Sequence, residues 1–142
     1  MNKKYLTTSS EETQNLGETL ALELKGGDFL AFYGNLGSGK TTFIQGLAKG
    51  LGIERRIISP TFIIMRHYNL SQGNFYHVDL YRTENKHDFL SIGLDQIMED
   101  KSNIVALEWA EKMGDMLPKH RFDISFEYLD DNKRKITINK YE

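Results

Sequence analysis

Lys40, Thr41 and the glycines just before them are residue types that together hold phosphate, and two later carboxylates, Asp79 and Glu108, could complete a metal-assisted site. Gly34, Gly39, Lys40 and Thr41 stand in "GNLGSGKT" at the spacing G-x-x-x-x-G-K-T. Glycines let the backbone curl so that successive N–H groups face one anion. A lysine at this place can reach β and γ phosphates, and the hydroxyl after it can bind Mg²⁺. Gly37 and Ser38 belong to the same curl. Thr42 either supports the magnesium shell or caps the helix that follows, the second being the commoner use of such a residue. The ligand this pattern asks for is a nucleotide with its metal ion.

A phosphate loop alone binds; hydrolysis needs an acid near the metal or the attacking water. Two apolar runs end in one: "FYHVD" delivers Asp79 and "IVALE" delivers Glu108. Open α/β sheets build their ligand crevices at the carboxyl ends of strands. Elsewhere a strand-end carboxylate more often caps the next turn; the phosphate loop is what makes these two candidates. Glu108 takes the Walker B role, holding Mg²⁺ directly or through water, or polarising the nucleophile, with Asp79 as its companion. A glutamate is longer than the usual aspartate, which suits work on water more than on metal.

These residues need elements to carry them. "DFLAFY" is a short apolar run ended by glycine, and "KTTFIQGLAKGLG" places Phe43, Ile44, Leu47, Ala48 and Leu51 at helical spacing, so the loop lies between a strand and a helix. The positive end of that helix adds to the pull on phosphate. Upstream, "TSSEETQNLGETLALELKGG" predicts a helix with Ser9 and Glu12 as a capping box, Leu16, Leu20 and Leu24 on one face, and a stop at Gly26-Gly27. Downstream, "TFIIMRHYN" and "NFYHVDLY" read as a hairpin through "LSQG". "RTENKHDFLSIGLDQIMED" is weakly helical, "NIVALEW" is a buried strand, and "RFDISFEYLDDNKRKITINKY" is two strands around "LDDNKR". The order predicts an α/β fold of the P-loop type: a mixed, mostly parallel sheet with helices on its faces and a C-terminal hairpin.

At 142 residues the chain reads as one domain over 1–142, able to bury about 70% of its unfolded surface. It has no cysteine, hence no disulfide framework, thiolate zinc site or cysteine nucleophile. Eighteen Lys and Arg against twenty Asp and Glu give a net charge of −2, so no global positive field draws it to nucleic acid or anionic membrane. "MNKKYLTTSSEETQ" has no apolar segment behind its lysines, and no apolar run reaches membrane-spanning length. A soluble cytoplasmic protein is expected. His67, His77, His87 and His120 have no metal-ligand spacing and read as surface or packing residues. "NKRK" at 132–135 reads as a solvated turn; it lacks the aspartate of the guanine-reading NKxD motif, and no D-x-x-G follows the loop.

With these residues assembled, the chain resembles the TsaE family, the small ATPases of threonylcarbamoyladenosine synthesis in bacterial tRNA. The resemblance runs through "GNLGSGKTTF", "SPTF" at 59–62, "HVDLYR" at 77–82, "LEWAEK" at 107–112 and "LP" at 117–118. It implies a P-loop fold, ATP and Mg²⁺ as ligands, slow intrinsic hydrolysis, and action with a complex of TsaD and TsaB, tRNA being met indirectly. It places the family's nucleotide positions on Gly37, Ser38, Gly39, Lys40, Thr41 and Thr42, and its acidic positions on Asp79 and Glu108. Thr61 falls in a segment similar to a nucleotide-sensing switch, with Pro60 fixing its approach, though a plain turn before a strand is the simpler reading. Tyr81 and Arg82 match a D-x-Y-R block; Arg82 serves either transferring phosphate or a surface ion pair. Trp109 matches an E-W pair, either core or a contact near the site.

Three functions fit these residues. The first is a partner-dependent ATPase switch. The second is a small-molecule kinase, for which "YRTENKHDF" is a short lid. The third is a nucleotide-gated binding module whose chemistry is incidental.

Overall fold

The loop and its carboxylates are set by a sheet that runs nearly the length of the chain. The computed structural model describes residues 2–35, 37–54, 57, 65–84 and 86–142, with the backbone alone at 86, 87 and 89. Among these, the strands are β1 (Asn2–Thr7), β2 (Phe29–Tyr33), β3 (Met65–Asn69), β4 (Asn74–Asp79), β5 (Asn103–Glu108), β6 (Arg121–Tyr128) and β7 (Arg134–Tyr141). The helices are α1 (Ser10–Ala21), α2 (Lys40–Gly50), α3 (Lys86–Ser91) and α4 (Leu94–Glu99), with a kinked 3-10 segment at Ala110–Met116. The strands form one sheet in the order β1-β7-β6-β2-β5-β4-β3. β6, β2, β5 and β4 are paired in parallel, β1 points the same way, and β7 and β3 are reversed. The mixed, mostly parallel sheet and the C-terminal β6–β7 hairpin are as expected.

Both faces of the sheet are covered, which is why β2 and β5 are continuous apolar runs rather than alternating ones. On one face Leu30, Phe32, Phe75, Ile104, Ala106 and Ile124 share a core with Phe43, Ile44 and Leu47 of α2 and Leu20 of α1. On the other, Ala31, Val78, Val105 and Leu107 meet Leu94 of α4 and Ala110 and Met113 of the 3-10 segment. Glycines bring α1 and α2 together: a Cβ at Gly17 would lie 2.2 Å from the Phe43 carbonyl oxygen, and one at Gly46 would lie 1.9 Å from that of Gln14.

The N-terminus of α1 is capped largely as its sequence predicts. Ser9 Oγ accepts the Glu12 N–H at 3.1 Å. The Glu12 carboxylate reaches back one residue further than a simple capping box, accepting the Thr8 N–H at 2.7 Å and the Thr8 hydroxyl at 2.9 Å. The C-terminus differs from expectation. The helix ends at Ala21, well before Gly26-Gly27. Those glycines instead turn the chain into β2, where the Gly27 N–H donates to the Asn103 carbonyl at 2.8 Å. β1 carries no apolar signal, since four of its six residues are exposed, and it exists through its antiparallel pairing with β7.

Candidate nucleotide site

The phosphate loop leaves β2 at Tyr33 and enters α2 at Lys40, the strand–loop–helix setting that the motif needs. Gly37 (φ 77°) and Gly39 (φ 105°) occupy the left-handed region, where a side chain would strain the curl. Gly39 is the N-cap of α2 and supplies no side-chain hydrogen bond, so the first N–H groups of the helix depend on another acceptor. Thr42 therefore does not cap this helix, contrary to the commoner reading. It lies half-buried in the first turn and, with Ser9, Thr13, Gly39 and Asn132, lines a cleft of about 40 Å³ beside the loop. Thr41 is half-buried beside it. Ser38 is buried, and its hydroxyl has no hydrogen-bond partner among the described residues.

Lys40 is the buried cation of the site, 4% exposed. Its Nζ donates to the Gly34 carbonyl at 2.6 Å and stands 4.3 Å from the centre of the Trp109 ring. Burial pushes the ammonium below the ordinary lysine value, against the opposing pull of Glu108, Asp79 and Glu111. The lysine is thus folded back on its own loop, within the field of both strand-end acids.

Asp79 and Glu108 are the last residues of β4 and β5 and stand opposite each other in the parallel register; Glu108 is also paired with Phe32 of β2. Loop and carboxylates therefore leave one edge of three adjacent strands. Both acids are buried. Asp79 Oδ1 accepts the Tyr81 N–H at 2.9 Å, the turn-capping role common for such a residue, and this does not remove it from the site edge. Glu108 Oε2 is held at 2.6 Å by Nε2 of His77. Spacing offered no sign of this contact, because the two residues meet across neighbouring strands.

Trp109 follows Glu108 directly and is held with φ 60°, ψ 45°, a conformation of a bulky residue that persists only where its surroundings impose it. Its ring lies between Lys40 and Tyr81, 5.1 Å from the latter's ring centre, so it is both packing and site wall. Lys112 fastens the turn after β4 by donating to the carbonyls of Tyr81 at 2.7 Å and Thr83 at 2.9 Å. Arg134, expected in a solvated turn, instead lies over the Tyr128 ring and donates from Nη2 to the Gly37 carbonyl at 3.3 Å. The hairpin thereby touches the phosphate loop.

Thr61 and Pro60 lie outside the described residues, and Arg82 is exposed in the turn after β4. His67 and His120 are exposed, as read from the sequence, and the side chain of His87 is not among those described. His77 is buried as a packing residue would be, but it also serves Glu108.

The residues fit a nucleotide with Mg²⁺. The orphaned Ser38 hydroxyl and the uncapped start of α2 are polar groups an anion would satisfy. Mg²⁺ is commonly bound through one or two carboxylates plus substrate phosphates and waters rather than an all-protein cage. Thr41 and Glu108 are the residues that would donate to such an ion, and among the described residues no group of three or more His, Cys, Asp or Glu gathers for a metal. No described helix is long and apolar enough to cross a membrane.

Comparison with known proteins finds relatives along nearly the whole chain. The family model described as threonylcarbamoyl adenosine biosynthesis protein TsaE matches residues 7–136. The tRNA threonylcarbamoyladenosine biosynthesis protein TsaE of Bacillus subtilis is 38% identical over 98% of this chain and 89% of its own. That of Treponema pallidum is 34% identical over 95% and 98%. The crystal structure of Bacillus subtilis YdiB superposes with a TM-score of 0.84 at 33% identity, covering all of this chain and 87% of the other.

Proposed function

The chain belongs to the TsaE family of threonylcarbamoyl adenosine biosynthesis proteins, and from that premise we propose that it is a Mg²⁺-dependent ATPase of low intrinsic rate that works with a TsaD–TsaB complex. In this reading residues 1–142 form one P-loop domain acting in the cytoplasm, with tRNA met through the partners. The observation that carries it is the shared edge of β2, β5 and β4, where the buried Lys40, Glu108 and Asp79 converge on a phosphate loop.

Each residue then has a task that its surroundings suit. The N–H groups of Gly37 to Thr42 donate to phosphate oxygens at the start of α2. Lys40 gives up the Gly34 carbonyl for a phosphate, a charge-assisted bond of about 1.5–3 kcal/mol. Thr41 and Glu108 hold the metal ion, which when bound offsets charge on the phosphate oxygens. Asp79 orients water or supports Glu108 from the neighbouring strand. Arg82 and Thr61 are the switch-like residues through which partners would sense the nucleotide.

The test is ATP hydrolysis by the purified protein alone and with TsaD–TsaB added, with Lys40→Ala and Glu108→Ala as controls. Stimulation by the complex is expected, with Glu108→Ala still binding nucleotide but losing about a hundredfold or more in rate. Fast hydrolysis indifferent to partners contradicts the proposal. Binding without stimulation, or a Lys40-dependent phosphorylated metabolite, moves the assignment to a binding module or a kinase.

A further inference from the structure

The His77 imidazole belongs to no phosphate-binding motif, yet it is completely buried and bonded to the acid on which hydrolysis depends. Its place follows from register: His77 stands opposite Ala106, and Asp79 opposite Glu108. Residues two apart on a strand share a face. All four therefore lie on the face packed against α2, to which Ala106 belongs. Arg66 is its neighbour on the β3 side, but on the β5 side only the Ala106 methyl group stands across from it, and Nε2 reaches to 2.6 Å from Glu108 Oε2. A carboxylate has no hydrogen to give, so Nε2 carries the hydrogen and donates it. Nδ1 has no partner among the described residues. An unpartnered buried nitrogen is costly, and an apolar side chain would fill this place without that cost. What the imidazole adds is the bond to Glu108.

We propose that His77 is the positioning residue for Glu108: it holds Oε2 so that the other oxygen is the one presented to the metal ion or the attacking water. This rests on the ATPase reading. Outer partners of such a carboxylate contribute about 10–100-fold to metal affinity or activity. Because His77 acts through Glu108, its loss falls on turnover rather than on nucleotide affinity.

His77→Leu removes the donor at similar bulk, and His77→Gln returns an N–H near the position of Nε2. With TsaD–TsaB present, His77→Leu is expected to lower kcat about 10–100-fold while KM for ATP and the affinity for Mg²⁺-free ADP stay within about twofold; His77→Gln recovers most of the rate. Ring nitrogen-15 spectra of the free protein are expected to show hydrogen on Nε2 and a bare Nδ1, with the Nε2 signal moving in Glu108→Ala. If His77→Leu does not fold, His77→Gln and the ring spectra decide the matter. An unchanged kcat in His77→Leu, a His77→Gln variant as slow as a folded His77→Leu, or a ring with hydrogen on Nδ1 alone overturns the proposal. Failure of the wild type to hydrolyse ATP with its partners refutes the ATPase reading, and the positioning role given to His77 in turnover falls with it. The ring spectra then report separately whether the histidine–glutamate bond exists.

Discussion

Replacing Gly46 by alanine tests whether the phosphate-loop helix is held by close backbone packing. The added Cβ would lie 1.9 Å from the Gln14 carbonyl oxygen, 2.6 Å from its carbon and 2.7 Å from its Cα, all backbone of α1. Real contacts of this kind stay beyond 3.0 Å, so the helices must separate by about an ångström. No side chain can rotate away to relieve the clash, which puts the overpacking cost near the top of its usual range, about 3 kcal/mol. Alanine returns about 1 kcal/mol through helix propensity, leaving a net loss of about 2 kcal/mol. For a chain of this size that lowers Tm by about 4–8 °C. Thermal melting followed by circular dichroism reads the shift directly, with Lys49→Ala on the exposed side of α2 as a control expected within about 0.5 kcal/mol of wild type. Gly17→Ala should act through the same separation, since its Cβ meets the Phe43 carbonyl. The double variant should therefore lose less than the two single losses added. A Gly46→Ala protein as stable as wild type, or more so, refutes the packing argument, because propensity alone predicts that result.

Lys40 is held below its ordinary value, so the folded state disfavours its charged form. The penalty is present at neutral pH and lifts as pH rises through the folded value. Lys40→Met is accordingly expected to melt no lower than wild type without nucleotide, and to lose the stabilisation of about 2.7 kcal/mol that ATP gives the wild type at a hundred times its Kd; a clear fall in nucleotide-free Tm counts against it. Ser9→Ala removes the α1 N-cap and should cost about 1 kcal/mol in a denaturant titration; no change in midpoint contradicts the capping role. Tyr33 is pushed up to about 12, chiefly by burial and then by Asp123. Its contribution to stability is therefore full below the ordinary tyrosine value of 10.0 and is lost as pH climbs towards 12. Ultraviolet titration should show a late phenol ionisation that is absent in Tyr33→Phe.

Much of the site was legible because its chemistry is local. The spacing from Gly34 to Thr41, the apolar strand before it and the helical period after it all lie within near neighbours, and short-range sterics and hydrogen bonding set such features wherever the chain goes. Asp79 and Glu108 were legible as the polar ends of apolar runs, and the two hairpins as runs around turn-forming residues. The remainder depended on which strands become neighbours. β1 is polar and largely exposed, and only pairing with β7 makes it a strand. The end of α1 at Ala21 is marked by no glycine at that point. His77 meets Glu108 across 31 residues and Arg134 reaches Gly37 across 97, contacts that no periodicity encodes. Sequence by itself determined the groups that make up the candidate site. The sheet order, with β5 between β2 and β4, decided which histidine grips the glutamate and which wall the lysine rests on, because side chains far apart in the chain interact only once the strands carrying them are paired.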